Sequence, residues 1–512
     1  MKRTGIILLI ILFSCQACFA AGAKDEDRRA REMEKAVYMA AGNQERVLRI
    51  GLVDCIAYAL KNNSEIKIQK IDPLLKRDDI KIAQSEFEPA LSADFNYKDE
   101  TIRAASVLQG ADTFNSKQAD LSAGVSGKFV TGTEYDIDFY NQRYKSDSIF
   151  QNINPYYKTE PQITISQPLF KDFGTAVNRA AIVIASNNKE QSVEGFRDKV
   201  MTVITDTKAA YYQYVLYLEA YAIARLALER AKNLMEINKE RYAKGLLSSV
   251  NLLEAEAAVL DKEKYVILAE YELKKAEDNL KLITNLVDDP ELWNAKLELI
   301  DKPVFIFEEA DLLESLKMAF QLRPDYKIAA VDLKNRDINI VLAKNALFPT
   351  LDLVGSFGLN GLGEDYSSAI GKTNFNYQDW GAGIKFSLPW GGGDRARYDQ
   401  RKLEKAQGLV AFKRLEENIM LDVRDKVRKL KSQQQQVMAA KLSSEKESQN
   451  YQAQRERYAA GYLSTHDLLD YQDKLAWAEM DFVKAVVGYK VDYINLEKAQ
   501  GVTLAKNDIK LE

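Results

Sequence analysis

The spacing of apolar residues changes period along this chain. From 178 to 243 and from 394 to 459, apolar positions recur at helical spacing, as in Leu216, Ala220, Ile223, Leu226 and Ala227, and neither stretch contains a proline. Each predicts one continuous helix of about 66 residues, roughly 100 Å at 1.5 Å per residue. Helices of that length suggest coiled-coil packing. Helical patterns at about 249–286 and 465–499 predict a return helix after each, so each pair should form an antiparallel hairpin. Between the helical stretches the period falls to two. Leu91, Ala93, Phe95 and Tyr97 alternate with Ser92, Asp94 and Asn96. The same alternation marks 121–129, 135–139, 163–166, 351–357 and 382–388.

These alternating segments are about ten residues long, the length a tilted membrane strand needs. Their linkers alternate between tight (Val130-Thr131-Gly132-Thr133) and long (about 103–118, 144–160 and 360–378). Tight turns on one side and long loops on the other match an outer-membrane barrel. Tyr140, Tyr144, Tyr156, Tyr157, Tyr377, Trp380 and Trp390 lie near strand ends, where an aromatic girdle would sit. Four to six strands cannot close a channel-sized barrel, and an open edge is not tolerated in lipid. Several chains must therefore share one barrel.

The chain also repeats itself. Ala59-Leu60, Ile80, Ala83 and Pro89-Ala90-Leu91 recur as Ala319-Phe320, Ile340, Ala343 and Pro349-Thr350-Leu351, at an offset of 260. Ser166-Gln167-Pro168-Leu169 recurs as Ser387-Leu388-Pro389-Trp390, at 221. Glu240-Arg241-Tyr242-Ala243-Lys244-Gly245 recurs as Glu456-Arg457-Tyr458-Ala459-Ala460-Gly461, at 216. The offset shrinks by 39 between the first two blocks, so the first half carries an insertion of that size between Leu91 and Ser166. Residues 48–300 read as a first structural repeat, 301–502 as a second and 503–512 as a tail. Length alone suggests roughly three domains.

Composition narrows the classes. Only 10 prolines and 25 glycines in 512 residues argue against a disordered chain. Lys+Arg is 71 against 75 Asp+Glu, a net charge of −4, which gives no support to nucleic-acid binding. One histidine and three cysteines exclude most His/Cys metal sites and a disulfide scaffold. Residues 1–23 read as a signal peptide: Lys2 and Arg3, a short apolar run from Ile6 to Phe13, then small residues at Ala17, Ala20, Ala21 and Ala23. Its removal would leave six more acidic than basic residues, and a charged segment, 24–47, would follow. Leu12-Phe13-Ser14-Cys15 resembles a lipobox, with Cys15 as the lipidated residue, although Phe13 is bulky for it. Cleavage after Ala20 or Ala23 is the alternative. Cys55 sits in a helical pattern with Leu52, Ile56 and Ala59 and should be buried. No later apolar run reaches the 18 residues of a transmembrane helix.

The turn between each long helix and its return carries its own signature. Gly245 and Gly461 suit the left-handed conformation that ends a helix. Ser248 or Ser249, and Ser464 or Thr465, can cap the next one. Asn251 with Glu254, and Ser464 with Asp467, have capping-box spacing.

With the duplicated Ala-Leu…Pro-x-Leu blocks, Ser-Gln-Pro-Leu-Phe before a long helix, and Arg-Tyr-x-x-Gly-x-x-Ser-x-x-[Asn/Asp]-Leu-Leu at each helix turn, the chain resembles the TolC-type outer-membrane efflux family over about residues 48–502. The resemblance implies an α+β membrane protein: a trimeric outer-membrane β-barrel, of twelve strands in the best-known relatives, continued by a long α-helical coiled-coil barrel built from two internal repeats. It implies a homotrimer in Gram-negative outer-membrane lipid, extending into the periplasm. It implies a periplasmic adaptor and an inner-membrane pump as partners, with passive efflux or type I secretion as the function. The two tips would form the periplasmic mouth and the adaptor contact, through Gly245, Leu246, Ser248, Gly461, Tyr462 and Ser464. Asp467 and Asp470 match the family's acidic ring, and Tyr458 matches a tyrosine of its closing latch. Leu463 stands where a well-known member has an arginine and Asn251 where it has an aspartate, so the salt-linked part of the gate departs from the pattern.

No catalytic, cofactor or metal chemistry is legible. His466-Asp467 lacks a nucleophile or third partner. Gly391-Gly392-Gly393-Asp394-Arg395 lacks the Lys-[Ser/Thr] ending of a phosphate loop and reads as a passage from strand to helix. Residues 358–363 read as an exposed loop, and 432–436 as a solvated helix face. A second reading, from a different class, is an exported coiled-coil scaffold or adhesin with a β head. Lipid-facing apolar stripes on the strands would separate the two.

Overall fold

The computed structural model describes residues 47–103, 113–149, 151–301, 307–388 and 390–511. Cys15, the expected signal segment and nearly all of the charged segment 24–47 lie outside the described residues. In chain order the first elements are β1 (Val47–Ile50), α1 (Leu52–Asn62), α2 (Ser64–Gln84), β2 (Ala90–Arg103), β3 (Thr113–Lys128), β4 (Glu134–Ser146) and β5 (Tyr156–Pro168). Then come α3 (Ala180–Ala243), α4 (Ser249–Ile283), β6 (Lys296–Leu299), α5 (Leu312–Leu322), α6 (Pro324–Asn345), β7 (Thr350–Leu359) and β8 (Gly361–Gly363). The last are α7 (Tyr366–Lys372), β9 (Gln378–Ser387), α8 (Gly393–Ala459), α9 (Thr465–Gln500) and α10 (Thr503–Lys506). The two proline-free stretches form uninterrupted helices of 64 and 67 residues, each followed by its return helix. Helix α5 begins 260 residues after α1, and β7 begins 260 after β2.

The chain forms two compact units, where length suggests three, and neither coincides with a sequence repeat. One takes residues up to Gln69, Phe196–Pro324 and those from Asn418 onward; the other takes Lys70–Gly195 and Asp325–Glu417. Each unit draws on both repeats; in the second, β5 of the first repeat pairs with β7 of the second.

The second unit holds one sheet in the order β2-β3-β4-β5-β7-β9, antiparallel throughout, with the short β8 paired to β5 beside the end of β7. Both strands of the insertion, β3 and β4, are in it. Alternation and register divide the sheet into two faces. Leu91 pairs with Val125, Val125 with Ile137, Ile137 with Ile163, Ile163 with Phe357 and Phe357 with Trp380, all on one face. One residue along, Ser92, Gly124, Asp138, Gln162, Gly358 and Asp379 form the matching row on the other face. Large apolar side chains on the first face, such as Phe95, Ile384 and Phe386, are exposed.

Three expectations need correction here. Tyr140, Tyr144 and Tyr156 are not girdle residues of the apolar face. Register puts them on the polar face, where Tyr140 donates to Asp120 (2.7 Å), Tyr156 to Gln142 (3.2 Å), and Tyr144 stacks on Tyr156. The segment 358–363 is not an exposed loop. Gly358 and Leu359 end β7, and Gly361 and Gly363 are buried in β8 under α7, where a Cβ on Gly361 would come within 2.2 Å of Ala369 O. Nor is the glutamine run wholly solvated, because Gln433 is half-buried and donates to Ala485 O (3.1 Å). Gly391 and Gly392 do lie in the passage from β9 to α8, which begins at Gly393.

In the first unit β1 and β6 form a parallel pair, with Leu48 opposite Leu297. Tyr214 of α3 donates to Leu297 O (2.8 Å) and packs with Ile50, Tyr211, Val215 and Leu280. Cys55 is buried in this cluster, and burial pushes its thiol pKa up to about 12, which keeps it protonated. Nearby, Lys208 of α3 and Glu497 of α9 form a buried ion pair at 3.1 Å, and Lys506 lies 3.7 Å from the same carboxylate. Among the described residues no helix is long and apolar enough to cross a membrane.

Removing one partner of a buried pair leaves the other charge desolvated. Lys208→Met should therefore destabilise the protein by roughly 3 kcal/mol. Lys208→Met combined with Glu497→Leu should recover most of the loss. Thermal unfolding in detergent would check this; equal midpoints for the single and double variants would contradict it.

Candidate functional site: the helical tips

Both long helices stop by the same device. Gly245 takes φ 73° and Gly461 φ 83°. Leu246 N–H donates to Arg241 O (2.8 Å) and Gly245 N–H to Tyr242 O (2.9 Å). Tyr462 N–H to Arg457 O (2.9 Å) and Gly461 N–H to Tyr458 O (3.1 Å) repeat the pattern. These are paired Schellman closures, which satisfy carbonyls the helix ends leave over. A Cβ at either glycine would meet nothing within 4 Å, so the demand is on backbone conformation alone.

The return helices are capped by serines. Ser248 Oγ accepts from Asn251 N–H (3.5 Å), and Ser464 Oγ accepts from Asp467 N–H (3.1 Å). Ser464 Oγ also donates to Asp467 Oδ2 (2.6 Å). The expected box at Asn251 with Glu254 is displaced by one turn: Ser248 already occupies the cap, and the Asn251 amide turns back onto it (3.2 Å). Asp467 is a capping carboxylate. Asp470, one turn further, pairs with Lys474 at 2.7 Å, and that hydrogen bond and charge hold the Lys474 pKa above its ordinary value. Leu246 and Tyr462 are 73% and 77% exposed at the two turns, and His466 is exposed beside them.

Tyr458 is buried, and its hydroxyl donates to Asn238 Oδ1 of α3 while lying 3.2 Å from Thr465 Oγ1. Asn238 Nδ2 donates onward to Thr465 Oγ1 (3.1 Å) and to Asn251 O (3.4 Å). Arg241 lies over the Tyr458 ring, 4.9 Å from its centroid, and donates to the carbonyls of Tyr458 (3.3 Å) and Ala459 (3.1 Å). It thereby caps α8 from the neighbouring tip. Leu463 packs against Leu234, Tyr458 and Leu468 in the apolar cluster below, instead of projecting a charge.

The structure therefore brings Tyr458, Ser464 and Asp467 together with Gly245 and Gly461 at adjacent turns. The tyrosine's side-chain partner is Asn238; Asn251 contributes its backbone carbonyl. Asn238, Arg241 and Thr465 escaped the sequence reading as a linked group. Asn238 left a signal: a polar residue four positions after buried Leu234, on the packed stripe of α3. Arg241 belonged to the repeated motif, but its contact with the other tip depends on tertiary packing.

Tyr458→Phe removes one hydroxyl from a buried network and leaves Asn238 short of a donor, a cost of about 1–3 kcal/mol. Faster amide exchange should be confined to the two turns and their last helical turns, about 236–252 and 456–470. Acceleration spread evenly over the first unit, or none at the tips, would contradict this coupling.

Comparison with known proteins points the same way. Residues 55–286 and 315–502 match the outer membrane efflux protein family. Over 316 residues the chain is 25% identical to nodulation protein T of Rhizobium leguminosarum bv. trifolii, covering 59% of this chain and 63% of that one. Over 320 residues it is 22% identical to the outer membrane protein TolC of Escherichia coli, covering 60% and 63%. The chain thus spans just under two thirds of the length of these curated relatives. The fold is shared with the Campylobacter jejuni CmeC outer membrane channel, at TM-score 0.67, 20% identity and coverage of 88% and 86%. It is shared also with the outer membrane protein VceC of Vibrio cholerae, at TM-score 0.65, 14% identity and coverage of 88% and 96%. With the family matched in both halves and the fold common to outer-membrane channels, this chain belongs to the outer membrane efflux protein family.

Proposed function

We propose that the protein is the outer-membrane duct of an efflux or type I secretion system in a Gram-negative envelope. It conducts passively; an inner-membrane pump supplies the energy and a periplasmic adaptor joins the two. Three copies close a β-barrel from their sheets and a tunnel from their long helices. The observation that carries this reading is the sheet. One face is apolar and exposed, the opposite face is polar, and its edges β2 and β9 pair with no further strand among the described residues. A coiled-coil scaffold with a β head would have no use for a broad exposed apolar face.

The tips suit the periplasmic mouth of the duct. Leu246 and Tyr462 project from rigid glycine turns and offer the adaptor an apolar contact. Asp467 and Asp470 from three copies would ring the mouth with six carboxylates, which favours cations in a constriction. The ion pair with Lys474 tempers the Asp470 half of that ring.

Expressed in a Gram-negative host, the full chain should sediment with the outer membrane as a heat-modifiable trimer and resist salt and alkali. Release by alkali, or a folded monomer in mild detergent, would overturn the duct.

In planar bilayers, Asp470→Asn should lower cation preference and block by multivalent cations several-fold, because it also frees the Lys474 charge. Asp467→Asn should lower it by a similar factor while keeping the helix cap, since an asparagine oxygen can still accept from Ser464. Unchanged selectivity in both variants would place the selective charges elsewhere.

A further inference from the structure

We propose that each chain gives the barrel six membrane strands, so that the trimer closes eighteen strands instead of the family's twelve. This rests on the duct reading and specifies its bore.

The first support is the register across the inserted hairpin. From Leu91 through Val125, Ile137 and Ile163 to Phe357 and Trp380, paired partners on all six strands are apolar and share one face. The adjacent row, through Asp138 and Asp379, is polar on four strands and glycine on β3 and β7, with no large apolar side chain. A hairpin standing in water has no need to keep this phase with its neighbours. A hairpin in lipid does, because a one-residue slip would turn Asp136 and Asp138 toward hydrocarbon. Strands β3 and β4, with 16 and 13 residues, exceed the 9–11 that a tilted crossing needs.

The second support is where the hairpin ends. Strands β2, β5, β7 and β9 all join helices at one end of the sheet, and the β3–β4 turn lies at that same end. It is held there. Gly132 takes φ +94°, and a Cβ on it would lie 2.3 Å from Asp172 O. Gly174 N–H donates to Thr131 O (3.0 Å), and Thr133 Oγ1 donates to Gln167. The turn is thus stitched to the passage between β5 and α3 and does not hang free. The insertion adds two strands and no helix.

Parity permits the closure without selecting between six strands and four: β2 and β9 run antiparallel to each other, so β9 of one copy can pair with β2 of the next in the same alternation. Leu91 is 82% and Trp380 76% exposed on these edge strands, on the face that would meet lipid. Taking a strand spacing of ~4.8 Å and a tilt of ~40°, eighteen strands give a backbone diameter of about 36 Å and twelve about 24 Å. Eighteen-stranded porins hold an open aqueous channel. The strand segment would therefore pass bulkier cargo than the family's usual barrel.

The test uses the full-length trimer in outer membranes, with Cys18→Ser and Cys55→Ala as background and single cysteines on the apolar face. Val125→Cys and Ile137→Cys should react with a lipid-soluble maleimide and resist a charged one, and Asp138→Cys on the polar face should show the reverse. Ile163→Cys and Phe357→Cys on β5 and β7 separate the two readings. If these are shielded while Val125→Cys and Ile137→Cys label from water, the six-strand contribution is wrong and the duct stands. If all four label from water, the sheet is not in the membrane and the duct reading falls with it. As an independent measurement, Val125→Trp and Ile137→Trp should be quenched by brominated lipid in proteoliposomes; lack of quenching overturns the proposal. A native mass of two chains would make twelve strands and overturn it as well.

Discussion

Along the outer sides of β2 and β9, no strand among the described residues pairs with the backbone N–H and C=O groups. Unpaired backbone in hydrocarbon costs several kcal/mol per group, so a sheet with an exposed apolar face and two bare edges has to close. That one constraint orders much else. It sets the register, because only one phase puts Leu91, Val125 and Ile137 on the outside together. On the duct reading it calls for further copies of the chain. It also makes strand number the variable that sets bore, since each added pair of strands widens the ring while leaving its antiparallel order intact.

A different economy governs the helices. Helices α3 and α8 run 64 and 67 residues without a break, and their ends are settled by a handful of short-range bonds. A glycine at positive φ closes each, a serine starts each return, and Arg241 reaches from one tip to the terminal carbonyls of the other. Beneath them Tyr458, Asn238 and Thr465 join three helices through buried hydrogen bonds, which specify position more tightly than apolar packing can. A charged latch would hold the tips through ions exposed to salt screening. Here Leu463 and Asn251 stand in its place, and the charged group that crosses between the tips, Arg241, meets carbonyls and a ring instead of a carboxylate.

Local periodicity determined a good deal of this protein from the sequence alone. The two long helices, their returns, the glycine turns, the capping role of Ser464 and six alternating strands were legible because each depends on residues within a few positions of one another. The offsets of 260 and 221 between repeats located the inserted hairpin. The sequence left open whether that hairpin joins the sheet, because alternation looks the same in a strand that faces lipid and in one that faces water. Only the pairing of β3 with β2 and of β4 with β5 decided that point. Tertiary structure likewise decided which tyrosines face the polar side, since a face is defined by register across strands and not by position near a strand end. It buried Gly361 and Gly363 under α7, where sequence showed only a glycine-rich run. And it gave Tyr458 to Asn238, 220 residues away, because hydrogen bonds between helices depend on how the helices pack, and no local pattern encodes that.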